Sequence, residues 1–258
     1  MKKMSDNKFI DIHSHCLWGI DDGSRSVYET LDLCETAEEN GTETLFLTPH
    51  LMYWESAEDL FDRRNRKAEE LRNILLQEGI DLKLELGFEI LCDDDIFRVK
   101  YFKPYTLCGS RYILIEFDFY KTTEEDVTAW CDYLISNGLV PIIAHPERYE
   151  FVLNDFSVLQ RLSDKGVLFQ MNGCSAAGEF GAEVENTALK MLEHGFVDFV
   201  GSDAHRVNYR NTDLSVCFKD FENRLIDNFF TTVCWNNPRS VIQDVQITPL
   251  RVCYFNEK

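Results

Sequence analysis

The sequence predicts an α/β protein whose parallel strands close into a seven-stranded barrel. Short apolar segments alternate along the chain with segments whose apolar residues recur at helical spacing. The apolar segments contain few polar residues, as expected for parallel strands that are covered on both faces. Histidines and carboxylates follow most of these segments, and only a closed barrel brings all the strand ends around one point. An open doubly wound sheet is disfavoured because the first strand–helix turn lacks a Gly-x-Gly-x-x-Gly motif.

The predicted helices between the strands have recognisable start and stop signals. Ser26 and Glu29 form a capping box, and Asn40-Gly41 ends the first helix. Gly79 and Asn137-Gly138 end later helices in the same way. After a first strand that begins at Phe9, strands are predicted at 44–48, 82–89, 112–117, 140–145, 167–171 and 197–201, followed by a closing helix from Leu214 through Leu225 and an apolar piece at 229–234.

The composition favours one soluble domain over residues 9–258, with an N-terminal extension at 1–8 and a helical closing segment at the C-terminus. The formal net charge of −19 disfavours nucleic acid and anionic membranes as partners. The nine cysteines are odd in number and include no Cys-x-x-Cys pair, which predicts free thiols in the cytoplasm. No apolar run reaches the ~20 residues of a membrane helix, and the extension lacks the apolar core of a signal peptide.

Histidines and carboxylates at the predicted strand ends form a candidate metal centre. His13 and His15 are two residues apart on a strand, so both rings point to the same face. Five of the six histidines lie at such positions. Because the set contains no cysteine, it suits two or three divalent ions of the Mn, Fe or Zn type, which serve hydrolysis by activating water. The set is His13, His15, Asp22, His50, Glu89, Glu116, His145, Asp203 and His205.

Seven motifs in the chain resemble those of the polymerase-and-histidinol-phosphatase (PHP) superfamily. They occur in order between residue 9 and about residue 206, and the Asp-Asp-Gly and His-Pro-Glu-Arg pieces favour one branch. That branch contains bacterial manganese-dependent tyrosine-protein phosphatases associated with capsule and exopolysaccharide assembly. The motifs are Asp11-Ile12-His13-Ser14-His15, Asp21-Asp22-Gly23, Thr48-Pro49-His50, Gly87-Phe88-Glu89, Leu114-Ile115-Glu116-Phe117, His145-Pro146-Glu147-Arg148-Tyr149 and Ser202-Asp203-Ala204-His205.

The resemblance implies a distorted, TIM-like (β/α) barrel that hydrolyses phosphotyrosine through a metal-bound hydroxide. The implied cofactors are three divalent ions, with Mn expected first and Fe or Zn as alternatives. Arg148 and Arg206 would contact the phosphate, which suits a planar guanidinium. The implied substrate is a phosphotyrosine protein such as the tail of a bacterial tyrosine kinase. The implied ligands are His13, His15, Glu89 and Asp203 for the first ion, Glu89, Glu116 and His145 for the second, and Asp22, His50 and His205 for the third.

Other functions remain open from the sequence. The chain would also suit another PHP phosphoesterase, such as a histidinol-phosphate phosphatase. A further alternative is a non-catalytic partner of a polysaccharide-assembly kinase. An amidohydrolase also opens with His-x-His, but members of that class often use a lysine on the fourth strand, and residues 111–118 contain none.

Several residues near the candidate centre have two interpretations each. Trp18, Tyr53 and Trp54 either wall a phenyl ring at the mouth of the site or pack within their loops. Asp11 either orients a ligand histidine or lies at a solvated strand start. His194 precedes a glycine at a helix end, where an imidazolium complements the helix dipole, so it is excluded from the centre.

Three further features have a second interpretation. Residues 92–98 match the Cys-x5-Arg pattern of thiol-based tyrosine phosphatases, but three aspartates beside the sulfur would raise the pKa of the thiol and repel phosphate. Asp21-Asp22-Gly23 is also an ordinary turn sequence. Arg148 lies near Glu147 and Glu150, and it would pair with either of them if it lay on the surface.

Overall fold

The computed structural model describes residues 8–219 and 224–255, and their strands are parallel. They form a three-stranded sheet of order β1-β2-β4 and a six-stranded sheet of order β3-β5-β6-β7-β8-β9. The strands are β1 (Phe9–Asp11), β2 (Thr42–Leu47), β3 (His50–Leu51), β4 (Lys83–Leu86), β5 (Glu89–Leu91), β6 (Tyr112–Glu116), β7 (Val140–Ala144), β8 (Leu168–Asn172) and β9 (Phe199–Gly201).

Helices follow most of the strands, as the sequence predicts. Ser26 accepts a hydrogen bond from the Glu29 amide at the start of the first helix, and Thr123 forms a capping box with Asp126. Burial of one face of each helix against the strands supplies most of its stability. The helices are α1 (Val27–Glu39), α2 (Ala57–Glu78), α3 (Glu124–Ser136), α4 (Glu150–Asn154), α5 (Val158–Asp164), α6 (Ala182–His194), α7 (Leu214–Cys217), α8 (Phe229–Thr231) and α9 (Asn237–Ile242).

The strand predicted at 82–89 is interrupted, and a further short strand follows the one predicted at 44–48, so the strands lie in two sheets. Thr48 and Pro49 separate β2 from β3, and Gly87 and Phe88 separate β4 from β5. Proline has no amide hydrogen for a sheet ladder. A Cβ added at Gly87 would lie 2.4 Å from a methyl carbon of Leu107, so only glycine fits this close approach. The prediction of one continuous strand over 82–89 was therefore wrong, because the strand is broken at Gly87 and Phe88.

The two sheets meet at the ends of β1 and β9 and share one buried core. Ser14 and Ala204 form a parallel bridge beyond these strands, and the Asp203 amide donates to the His13 carbonyl over 2.9 Å. One core cluster joins residues of the smaller sheet to residues of the larger, with Ile10 and Phe46 on one side and Leu114, Ile142, Leu168 and Phe199 on the other. This arrangement brings the carboxyl ends of the strands to one side of the molecule. Closure into a seven-stranded barrel stays a prediction.

The C-terminal part differs most from prediction. The closing helix ends at Cys217 instead of continuing to Leu225, and Leu225 forms an isolated antiparallel bridge with Phe255. Residues 220–223, which the prediction placed in that helix, and residues 1–7 of the extension lie outside the described residues. The apolar piece at 229–234 is helical. Among the described residues, no helix has the length and apolar content needed to cross a bilayer.

Candidate metal centre

The predicted ligands converge at the carboxyl ends of the strands. Three groups of side chains lie there, and within each group the potential ligand atoms are within 4.8 Å of one another. These groups contain every predicted ligand except His145, which lies beside them. Most of the side chains are buried, so the centre is largely shielded from water. The groups are His13 with His15 and Asp203, His50 with Glu89 and Glu116, and His15 with Asp22, His50 and His205.

Glu89, the first residue of β5, lies at the middle of the centre. Its Oε2 is 3.2 Å from His13 Nε2 and 3.1 Å from both His15 Nε2 and His50 Nδ1. Its Oε1 is 2.9 Å from His145 Nε2. Although the side chain is fully buried and these nitrogens lie close to Oε2, none of the described residues forms a well-aligned hydrogen bond with this oxygen. A buried carboxylate oxygen in this state is costly unless a cation compensates its charge, and one carboxylate can bridge two ions.

Hydrogen bonds at the rear of the rings determine which nitrogens of His13 and His15 face the centre. The Nδ1 atom of His13 lies 2.7 Å from Gln170 Oε1, and that of His15 lies 2.8 Å from Asp21 Oδ2. Because both partners accept, each neutral ring carries its proton on Nδ1 and has a lone pair on Nε2. These two Nε2 atoms are only 3.0 Å apart. Facing lone pairs at this distance require a cation, so the donor set fits a bound metal ion.

The third group of ligands lies at the rim of the centre. Asp22 Oδ1 is 3.4 Å from His50 Nε2 and 3.5 Å from His205 Nε2. His205 uses its Nδ1 to donate to the carbonyl of Asp203 over 2.8 Å, which leaves Nε2 available. The side chain of Asp22 is 71% exposed, whereas that of His205 is 7% exposed. The centre is therefore open to solvent on the Asp22 side.

His145 and Asp203 adopt a backbone conformation that is unusual for their residue types. Their φ angles are 35° and 51°, in the left-handed region. This conformation costs about 1–3 kcal/mol in a non-glycine residue and is concentrated at functional sites. Both residues follow a strand, β7 and β9 respectively, so the strain turns their side chains toward the centre. The Oδ2 atom of Asp203 accepts hydrogen bonds from Asn172 Nδ2 over 2.8 Å and from Arg210 Nη1 over 2.6 Å.

The electrostatics of the centre favour positive charge. Burial lowers the pKa of His15, as does His50, but Asp21 and Glu89 outweigh them and raise it to about 9. Burial raises the pKa of Glu89, yet His13 and His50 hold it well below its usual value. A site in which a carboxylate stays ionised and a histidine is readily protonated also attracts divalent cations, which displace that proton.

The two arginines predicted to contact phosphate occupy different surroundings. Arg148 lies at the centre, with Nη1 3.5 Å from Asp203 Oδ2. Arg206 instead donates to the carbonyls of Asp22 and His205 over 2.8 and 3.3 Å. Arg210, which the sequence analysis did not select, lies closer to the ligands than either, because its Nη1 is 2.6 Å from Asp203. No sequence motif distinguishes Arg210 from Arg206.

Three supporting residues hold the ligands in place. Gln170 and Asp21 orient the rings of His13 and His15 as described, and neither was selected from the sequence. Gln170 is a polar residue in the middle of strand β8, between the apolar residues Phe169 and Met171, and this signal is present in the sequence. Asp11 is buried and accepts from the amides of Ser202 and His13 over 2.9 and 3.3 Å, so it fixes the backbone of a ligand rather than its ring.

A cleft of about 750 Å³ adjoins the centre, with Asp22, His50 and Glu116 among its lining residues. Tyr53 lines this cleft, as one interpretation of the loop aromatics predicted. Trp54 packs instead against Tyr105, with ring centroids 5.4 Å apart.

The remaining candidates lie away from the cleft. Trp18 lies under the ammonium group of Lys67, 4.7 Å from its ring centroid. His194 ends α6 beside Phe156, with ring centroids 5.6 Å apart. Cys92 is buried, which raises the pKa of its thiol, and so it is no nucleophile.

The fold and the site together define a class: parallel α/β proteins with a candidate multinuclear metal centre of histidines and carboxylates at the strand ends. Comparison with known protein families places the chain within it. The family model for capsular polysaccharide synthesis, CpsB/CapC, matches residues 9–243. The chain belongs to this family, which confirms the resemblance inferred from its motifs.

Relatives of known name agree with this assignment. The putative tyrosine-protein phosphatase CapC of Staphylococcus aureus is 31% identical over 82% of each chain. The tyrosine-protein phosphatase YwqE of Bacillus subtilis is 32% identical over 78% of this chain and 79% of its own. A solved structure from work on Bacillus subtilis YwqE and Streptococcus pneumoniae CpsB, described as metal-dependent tyrosine phosphatases, is similar with a TM-score of 0.78. It is 27% identical and covers 96% of this chain and 100% of its own.

Proposed function

We propose that this protein is a metal-dependent tyrosine-protein phosphatase that acts in capsule or exopolysaccharide assembly. The observation that carries the proposal is the convergence of nine histidine and carboxylate side chains at the strand ends, beside two guanidinium groups and an open cleft. The names of its relatives supply the substrate class, phosphotyrosine proteins. The tail of a bacterial tyrosine kinase is the substrate that we propose first.

The donor set supports a centre for three divalent ions, with Mn as the first candidate and Fe or Zn as alternatives. The mixture of imidazoles and carboxylates without thiolates suits ions of this type. The ligands that we propose are His13, His15, Glu89 and Asp203 for the first ion, Glu89, Glu116 and His145 for the second, and Asp22, His50 and His205 for the third. His15 and His50 each lie in two of the three groups, so either could also serve a neighbouring ion.

Ions bound there would supply an activated water and neutralise charge on the phosphoryl oxygens. The chain's own residues then position the substrate. Arg148 and Arg210 both lie beside Asp203, and their planar guanidinium groups suit phosphoryl oxygens. Gln170 and Asp21 keep the rings of His13 and His15 in the tautomer whose Nε2 faces the centre.

The contacts of Arg206 favour a different role from that of Arg210. Two backbone carbonyls occupy its guanidinium, so it holds the Asp22 loop in place. Replacing Arg210 with Lys should raise KM for a phosphotyrosine peptide by about tenfold, because a bidentate group becomes a point charge. Replacing Arg206 with Lys should change KM less than the Arg210 substitution does. It should cause a larger loss of the metal ion that Asp22 is proposed to bind. The reverse pattern in steady-state kinetics and elemental analysis would restore Arg206 as the phosphate contact.

Two further proposals concern the shape of the fold and the location of the protein. We infer that the two sheets act as one closed, distorted barrel, because the chain segments after β1 and β9 meet through Ser14 and Ala204 and because one core cluster contains residues of both sheets.

We also infer a cytoplasmic location. It is supported by nine unpaired cysteines, since such thiols are typical of reducing compartments.

The test is a phosphatase panel on the purified chain with Mn, Fe or Zn. We expect phosphate release from a phosphotyrosine peptide to exceed release from histidinol phosphate and from a phosphoserine peptide. It should disappear in excess chelator and in the His145→Ala variant, and it should survive in Cys92→Ser. Full activity in chelator would refute the metal dependence. A purified protein with neither bound metal nor turnover would favour the non-catalytic alternative, and preferred turnover of histidinol phosphate would favour the other PHP activity.

A further inference from the structure

The cleft beside the metal centre opens over the carboxyl end of β5. Its floor contains Leu91, the last residue of β5, between His50 and Glu116 at the neighbouring strands β3 and β6. His50 Nδ1 and Glu116 Oε1 are 2.7 Å apart, so these two side chains form one continuous polar edge. A group that leaves a phosphorus atom held at the centre can therefore pass directly into the cleft.

The two walls of the cleft are built from the residues that follow these strands. Met52 and Tyr53 follow β3 and are 40% and 68% exposed. Phe117, Phe119 and Tyr120 follow β6 and line the same cleft, together with Asp118 between them. The walls are thus mainly apolar and aromatic, whereas the floor is polar. This division matches a ligand with a charged end and a flat apolar body.

Phe119 is held rigidly in its wall. Its ring stacks on Tyr149 with centroids 5.2 Å apart, and its carbonyl accepts from the Glu150 amide over 3.1 Å. The guanidinium carbon of Arg148 lies 4.6 Å from the centroid of the same ring. The wall and a proposed phosphate contact therefore form one unit, and a ring placed against Phe119 would lie next to the phosphoryl group that Arg148 engages.

We propose that this cleft is the subsite for the aromatic leaving group and that Phe119 and Tyr53 determine the preference for aryl over alkyl phosphate esters. The inference rests on the proposed function, since it concerns the substrate of the same centre. A phosphotyrosine ring fits between the two walls while its phosphorus reaches the floor. A phosphoserine ester is shorter and would have to bring polar peptide backbone into the apolar cleft, which is costly.

The experiment compares two non-hydrolysable inhibitors, phenylphosphonate and methylphosphonate, with the Mn-loaded protein. Because neither inhibitor has a leaving group, the ratio of their inhibition constants measures how much the aromatic ring contributes to binding. We expect the wild-type protein to bind phenylphosphonate at least about tenfold more tightly. Phe119→Leu and Tyr53→Ala should each reduce this ratio by about two- to tenfold, as expected for loss of one aromatic contact. The inhibition constant of methylphosphonate should stay within about twofold in Tyr53→Ala.

Matched controls are Phe97→Leu and Tyr101→Ala, because both residues are exposed outside the cleft, with Phe97 packed edge-on against Tyr133. Both should retain the wild-type ratio. If Phe119→Leu also displaces Arg148, the inhibition constants of both phosphonates will change together. In that case the ratio measured for Tyr53→Ala decides whether the cleft binds the ring.

A wild-type protein without preference for phenylphosphonate, or unchanged ratios in both wall variants, would overturn the subsite. Failure of the proposed function is distinguishable, because it appears as absent hydrolysis of phosphotyrosine with every metal.

Discussion

Replacement of Glu89 by Gln tests the metal centre most directly. The substitution preserves the shape of the side chain but removes its negative charge. In the structure that charge faces His13, His15 and His50 through one oxygen and His145 through the other, all within 3.2 Å. If Glu89 bridges two ions, both lose a ligand charge at once, whereas replacement of any single histidine affects fewer contacts.

The magnitude follows from these distances. At an effective dielectric constant of about 20, a unit charge 3.1 Å from a carboxylate oxygen is attracted by about 5 kcal/mol. The amide oxygen of Gln still accepts and ligates weakly, so the loss cannot be smaller than one charge-assisted hydrogen bond, about 2 kcal/mol. We therefore expect metal affinity to fall by about 30-fold to several thousandfold. Turnover at a fixed, low Mn concentration should fall at least in proportion.

The assay combines elemental analysis after dialysis with phosphotyrosine turnover across a Mn titration. Glu85→Gln is the matched control, because Glu85 lies on β4, the strand that precedes β5 in the chain, and contacts Cys108 rather than the centre. It should retain its metal and its activity. A Glu89→Gln protein that keeps its full metal content and activity within about threefold of wild type would refute the bridging role.

Three further substitutions probe separate parts of the molecule. Asp22→Asn should lower the metal content by one ion while the others remain, because Asp22 reaches only the rim group; elemental analysis that shows no loss, or loss of all ions, contradicts the assignment. Gln170→Leu should weaken metal binding by about 10- to 100-fold in a Mn titration, since His13 loses the partner that sets its tautomer. Arg251→Met should lower the free energy of unfolding by about 3 kcal/mol, because it leaves Asp198 buried without its guanidinium. Chemical denaturation would measure this loss, and an unchanged midpoint would show that the carboxylate is compensated elsewhere.

The ligands themselves could be predicted because the signals that identify them are local. All of them except Asp22 lie within a strand or a few residues after one, and parallel strands present their carboxyl ends on the same side. Glu116 illustrates this, since a carboxylate at the end of the apolar strand β6 needs a cation or a partner wherever the strand is placed. The helices were predicted for the same reason, from caps and apolar spacing within one segment. The break at Gly87 within the strand predicted at 82–89 was missed, because the crowding at Gly87 comes from the distant residue Leu107.

The sequence by itself determined the chemistry of the candidate centre: which residue types are present and which strands they follow, and hence a donor set that suits divalent cations. Only the tertiary structure decided which arginine faces that centre. Arg206 and Tyr209 pair in a tight antiparallel turn that reverses the chain, and Arg210 follows it with a φ of 50°. The turn directs Arg206 to the carbonyl of Asp22 and Arg210 to the carboxylate of Asp203. Side-chain direction after a turn depends on backbone angles that long-range contacts determine, so residue type and spacing could not reveal it.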